Sequence, residues 1–325
     1  MTEPSQRRDE VRIRVAGVTF RVASADPEGP ALSLPPASLK FEVPASGAVD
    51  LDLRASWGDL SDAPAGAPVF DSGGTWRLYR NGPTDVFRFW ARQKPAVPYQ
   101  ECRLHEGRST GDLVLHRDHF DAGEAVALQY PLDEVLMIHL LAGGRGVELH
   151  ACGVVTPEGR GYLFAGQSGD GKTTTARLWE ELRGTVVLSD DRIVVREESG
   201  RYVMHGTPWH GEAELSASRS VPVDAVFLLE HGAENRLLPL SVPDAAARLA
   251  ARSFVPFHDA DALHWSLGFL EGLVRSVPCH RFAFVPDPSA RDLVRAGGTP
   301  GTPSLDSSTS RDKGAVSEPA RDSRG

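Results

Sequence analysis

Between Val11 and Gln129 apolar positions recur at every second residue. "VRIRVAGVTFRV" (Val11 to Val22) alternates as a half-buried strand does, and "KFEV" (Lys40 to Val43), "VDLDLRA" (Val49 to Ala55), "WRLYR" (Trp76 to Arg80) and "DVFRFWAR" (Asp85 to Arg92) repeat the pattern between Gly, Pro, Ser and Asp clusters. No strong amphipathic helix precedes Pro131. Residues 1–130 are therefore expected to form a β-rich N-terminal region with long loops.

At "PLDEVLMIHLLAG" (Pro131 to Gly143) the period lengthens, and Leu132, Val135, Leu136 and Leu140 fall on one helical face. Strand-like "GVELHACGVV" (Gly146 to Val155) and "GYLFAG" (Gly161 to Gly166) follow, then a helix from about Gly171 to Leu182 and the strand "TVVLSDD" (Thr185 to Asp191). Beyond them the pattern predicts a buried strand at Asp224–Glu230, helices at Pro243–Phe254 and Asp259–Val277, a strand at Cys279–Asp287 and a closing helix at Ser289–Gly297. Strand, loop, helix and strand in that order predict an α/β core over residues 131–296. Residues 297–325 offer almost nothing to bury and read as a disordered tail.

Composition narrows the function. A net charge of −9 argues against a nucleic-acid surface. Three scattered cysteines suit neither a disulfide framework nor a structural zinc site, and point to the reducing cytoplasm. The start "MTEPSQRRDE" lacks an apolar signal region, and the densest apolar run, Val135–Ala142, is too short to span a bilayer. Self-association is left open. "HRDHF" (His116 to Phe120) echoes a protein-kinase catalytic loop, but no D-F-G follows it and the region reads as strand.

The candidate chemistry lies in "GQSGDGKT": Gly166, Gln167, Ser168, Gly169, Asp170, Gly171, Lys172 and Thr173, with Thr174 next. This is G-x-x-x-x-G-K-T between a predicted strand and a predicted helix, the pattern of a phosphate-binding P-loop. Glycines let successive N–H groups turn toward one anion, and the helix N-terminus adds its partial positive charge. Lys172 is one of four lysines in a chain with 31 arginines. A mobile point charge suits a cramped phosphate loop where a rigid guanidinium fork does not. Thr173 offers Mg²⁺ a hydroxyl. Eighteen residues after Lys172, Asp190 and Asp191 end an apolar strand expected to lie beside the P-loop strand. One acid could hold the metal and the other accept a proton from an attacking hydroxyl. "HGTPWHGE" (His205 to Glu212) is a further candidate loop for substrate or metal, with Trp209 read as exposed.

The stretch His150 to Arg192 resembles the catalytic domain of HPr kinase/phosphorylase, whose fold phosphoenolpyruvate carboxykinases share. The resemblance rests on His150, Gly153-Val154, "GQSGDGKT", "TTARLWEEL" and "VVLSDDR", in that order. It implies an ATP- and Mg²⁺-dependent kinase acting on a serine hydroxyl of a protein or peptide, with Asp190 as base, His150 beside it, and Thr173 and Asp191 on the metal side. The signature that follows the Asp pair in that family is not recognisable here; "HGTPWHGEAE" stands in its place. The N-terminal region is also unlike that family's, so the acceptor is not assigned. A nucleotide-dependent binding switch and a small-molecule enzyme of the carboxykinase kind are the alternatives.

Overall fold

The computed structural model describes residues 7–61, 66–92, 97–120 and 124–297. Apart from Gly297, the tail read as disordered lies outside them. The N-terminal region is built of β1 (Glu10–Val15), β2 (Val18–Ser24), β3 (Ala31–Ser33), β4 (Leu51–Gly58), β5 (Phe70–Asp71), β6 (Trp76–Asn81), β7 (Thr84–Phe89), β8 (Gln100–Leu104), β9 (Thr110–His116) and β10 (Glu124–Val126). Eight of them form one mixed sheet in the order β1-β2-β4-β9-β8-β7-β6-β5, while β3 and β10 pair separately. The single strand expected over Val11–Val22 is a hairpin: Ala16 and Gly17, at φ 49° and 74°, turn the chain between β1 and β2. "KFEV" is no strand either. Its first residues close a 3-10 turn, Ser38–Phe41, and Glu42 makes only a single bridge to Ile13.

The remaining chain gives α1 (Leu132–Leu141), β11 (Val147–Val155), β12 (Gly161–Ala165), α2 (Lys172–Glu180), β13 (Val186–Ser189), β14 (Arg192–Glu198), β15 (Arg201–His205), β16 (Ser220–Pro222), β17 (Ala225–His231), β18 (Arg236–Pro239), α3 (Val242–Ala250), β19 (Ser253–Phe254), α4 (Ala260–Ser276), β20 (Cys279–Phe284) and α5 (Pro288–Gly297). The fold is mixed α/β. In the second sheet the order is β16-β15-β14-β11-β12-β17-β20-β18, and only β12, β17 and β20 run parallel. The strand ending in the Asp pair was expected next to β12. Instead β11 intervenes, pairing antiparallel with β12 on one edge and with β13 and β14 on the other. The short connection of residues 156–160 returns the chain directly beside itself, so β11 fills the place the other strand would take.

Three large apolar clusters hold these layers. One carries the inward residues of the first sheet together with Leu132, Leu136, Met137 and Leu141 of α1, Val194 and Trp209. That helix is buried nearly all round rather than on one face. Polar ties follow the same seam: Arg145 reaches Asp50 (2.6 Å), Arg196 donates to the Ala16 carbonyl (2.7 Å), and Lys40 donates to the Ser216 carbonyl (3.0 Å). The other two clusters lie on opposite faces of the second sheet, one under α3 and α4, the other under α2 and α5. In the latter, Phe227 lies 5.0 Å from Phe164 and 5.6 Å from Tyr162, ring centre to ring centre.

Phe227 is fully buried at the centre of the parallel strands. Phe227→Ala is expected to cost about 3–5 kcal/mol in urea denaturation, the usual loss for a buried aromatic whose cavity cannot collapse.

Candidate functional site

The loop of residues 166–171 joins β12 to α2. Gly169 and Gly171 have φ of 90° and 100°, left-handed values that glycine adopts without penalty. At Gly171 a Cβ would also lie 2.6 Å from the Phe284 ring. Gly171 starts α2 with no capping side chain, so the first-turn N–H groups are not taken by one, and the helix dipole favours an anion there. The loop is braced from within. Asp170 accepts from the Gln167 amide (2.6 Å), and the Gly166 amide donates to the His150 carbonyl (3.2 Å). His231 Nε2 donates to the Gly169 carbonyl (2.9 Å). Lys172 is 6% exposed; its Nζ donates to the Gln167 carbonyl (3.0 Å) and lies 3.7 Å from Asp191 Oδ1. Burial pulls its pKa below the usual lysine value, and the Asp191 charge only partly restores it.

Asp190 and Asp191 occupy the break between β13 and β14, and extended neighbours point opposite ways. The structure separates them accordingly. Asp190 is fully buried, and its carboxylate accepts from the amides of Gly211 (2.9 Å) and Ala213 (3.0 Å). It does not meet His150, as the resemblance implies; Asp191 does. His150 Nε2 donates to Asp191 Oδ1 at 2.9 Å, because β11 and β14 pair antiparallel with His150 opposite Arg192. Arg192 bonds the second Asp191 oxygen. Burial alone would raise the Asp191 pKa, but the His150 bond and the Arg192 and Lys172 charges outweigh it and hold the carboxyl below its usual range.

Arg192 also binds Glu134 of α1 (2.7 Å), lies 3.6 Å from the fully buried Glu148, and sits over the Phe254 ring at 4.3 Å. Burial, and then Glu134, push the Glu148 carboxyl well above the ordinary range, so its neutral form is favoured. Arg192 entered the sequence reading only as the end of the D-D-R motif, and Asp133 and Glu134 escaped it. Acids in a first helical turn read as ordinary dipole partners, and the one available signal was that both stand in an otherwise apolar helix.

Two clefts meet at Asp191. One, of 400 Å³, is lined by His150, Ser168, Gly169, Gly171, Lys172, Thr173, Thr174, Asp191, Gly211 and Glu212. Gly166, Gln167 and Asp170 shape the loop without lining it. The other, of 410 Å³, runs past Asp191 and Arg192 between Pro35–Ser38 of the N-terminal region, Tyr130, Asp133 and Glu134, and Pro208–His210. The "HGTPWHGE" stretch thus contributes to both walls. Trp209, expected at the surface, is 7% exposed and packs in the core. His205 pairs with Glu198 (3.1 Å) and lines neither cleft. Ser189 Oγ donates to the Trp209 carbonyl (2.9 Å), and Asp190 secures the next turn of the same stretch. His116–His119 form the end of β9 and a short 3-10 turn, without a part in this site.

Lys172 and the uncapped α2 terminus suit a phosphate chain. Thr173, Asp191 and Glu212 bring oxygen donors of the kind Mg²⁺ takes alongside phosphate. Among the described residues no helix is long and apolar enough to cross a membrane.

A family described as "SynChlorMet cassette protein ScmC" matches residues 124–263. No curated protein matches the chain. Among solved structures, the HPr(Ser) kinase/phosphatase from Coxiella burnetii is similar at 13% identity, over 46% of this chain and 86% of that one, with a TM-score of 0.27.

Removing the Asp190 carboxylate strands two amides. Asp190→Ala is expected to accelerate hydrogen exchange at Gly211 and Ala213 while the amides of α2 keep their protection, and to cost about 2–4 kcal/mol in a melt. Asp133 gives a pH signature: burial pushes its carboxyl from the ordinary 3.8 up to about 6. Folding therefore takes up a proton between those values, and the protein gains stability as pH falls through that window. Asp133→Asn keeps the oxygen that accepts from the Glu134 amide. The advantage of this variant in denaturant titrations should shrink by about 1 kcal/mol between pH 7 and pH 5.

Proposed function

We propose that the protein is a Mg²⁺-dependent phosphotransferase that moves the γ-phosphoryl group of ATP to a hydroxyl on a protein or peptide. The observation that carries this reading is the position of Asp191. Its carboxylate stands on the wall shared by the glycine-loop cleft and the second cleft, in contact with His150 and near Lys172. A nucleotide switch would need the first cleft alone. A carboxylate between two clefts is what transfer to an acceptor needs.

In this reading the loop amides and Lys172 take the phosphates of ATP in the first cleft. Thr173 and Glu212 would hold the metal, whose charge would offset that of the phosphates. The acceptor hydroxyl enters from the second cleft and gives its proton to Asp191, which the surrounding cations keep ionised at neutral pH. His150 fixes the rotamer of that carboxylate. Asp190 serves as a positioning residue, holding Gly211 so that His210 and Glu212 reach opposite clefts. The barrier is lowered by alignment and charge neutralisation rather than by covalent chemistry.

Isothermal calorimetry and ³²P turnover with γ-labelled ATP and Mg²⁺ separate these roles. Lys172→Ala should abolish measurable ATP binding in a folded protein. Asp191→Asn should bind ATP close to wild type and lose turnover by about 100-fold or more, the range for a general base. Undiminished turnover by Asp191→Asn would overturn its role, and unchanged ATP affinity in Lys172→Ala would overturn the site.

A further inference from the structure

The second cleft does not end at Arg192. Tyr130, Glu134 and Arg192 also wall an adjoining pocket of 250 Å³, lined further by Phe70, Trp76, Phe254, Phe257 and His258. The cleft of Asp191, with Asp133, Glu134 and Arg192 in its wall, therefore adjoins an aromatic recess across Tyr130, Glu134 and Arg192. The recess falls below the ~300–1,000 Å³ of clefts that enclose a whole small molecule, and is of the size that receives one side chain.

Its walls are prearranged. Phe70 and Trp76 pack at 4.9 Å, and Phe70 lies 5.6 Å from the His258 ring. His139 Nδ1 donates to the Val135 carbonyl (2.7 Å), which leaves its Nε2 to accept from His258 Nε2 (3.3 Å). That bond pins the segment bearing Phe257. Tyr130 and Phe257 are nevertheless 63% and 65% exposed at the mouth. Two large rings left in water, one of them also lining the Asp191 cleft, are covered when an apolar group enters.

We infer that the acceptor is a peptide that presents its hydroxyl residue to Asp191 while a neighbouring aromatic side chain occupies the recess lined by Phe70, Trp76, Phe254 and Phe257. This inference rests on the phosphotransferase reading. An extended chain is the occupant that suits two adjoining pockets with a shared wall. The N-terminal region takes part through Pro35–Ser38 and through Phe70 and Trp76. It thus supplies acceptor selection to a site whose reacting groups all come from the chain beyond Pro131.

The test is a peptide library with one fixed serine, and Phe, Leu, Ala or Asp at each flanking position. The full chain, γ-labelled ATP and Mg²⁺ complete the assay. A Phe-over-Ala preference of roughly 10-fold or more in kcat/KM is expected at one flanking position. Thr75→Trp, which sets a large ring at another residue lining the recess, and Phe257→Ala, which removes an exposed wall, should each bring that ratio toward one. Because the ratio compares two peptides on the same protein, partial loss of folded material does not move it. Transfer without aromatic preference, or a preference unchanged in both variants, would overturn the recess while leaving the kinase reading intact. ATP turnover with no label on any peptide would overturn it in favour of a non-peptide acceptor. Absence of any ATP turnover would instead bring down the reading beneath it.

Discussion

The site depends on one backbone arrangement, the antiparallel pairing of β11 with the interrupted strand β13–β14. Gly153 lies opposite Ser189 and His150 opposite Arg192, so Asp190 and Asp191 fall between two pairings of one register; the slip between Gly153 and Val154 lies on the other side of Ser189, at Leu188. On that register the two side chains point to opposite faces, as neighbours on an extended chain do. Asp190 goes inward to two loop amides, and Asp191 goes to His150 on the neighbouring strand. The Ala151 amide, donating to the Asp191 carbonyl at 3.0 Å, keeps that register across the break. Loop anchor and reactive carboxylate are thereby fixed by the same few residues.

Charge organises what the backbone positions. Asp191 is flanked by His150, Lys172 and Arg192, and Arg192 in turn by Glu134 and Glu148. Burial raises both ends of this chain and their neighbours part them: Glu148, desolvated beside another carboxylate, tends to the neutral form, whereas Asp191, among cations, stays ionised. Arg192 keeps its charge under burial because acids surround it. A lysine here would serve poorly, since it could not reach Asp191 and Glu134 in one plane while lying over Phe254.

The N-terminal sheet is more than an appendage. Its inward residues share a core with α1, Val194 and Trp209. Trp209 belongs to the stretch that Ser189 and Asp190 tether. Packing in one layer therefore bears on the geometry of the loop between the clefts, and residues from both layers line the groove next to Asp191.

Several features were written in the sequence. Period-two alternation gave the β-rich first part. The glycine loop lay where a strand yields to a helix, and Lys172 stood out in a chain poor in lysine. These are local properties, set by backbone sterics and by the amphipathic period of each segment. The chain could not by itself say which aspartate meets His150, because that follows from the pairing register of two strands far apart in sequence. Nor could it show that β11 separates β12 from the Asp pair, that Trp209 is buried, or that Asp133 and Glu134 face a cleft. Each of these depends on which surfaces meet once the sheets pack, and burial and electrostatic environment exist only after they do.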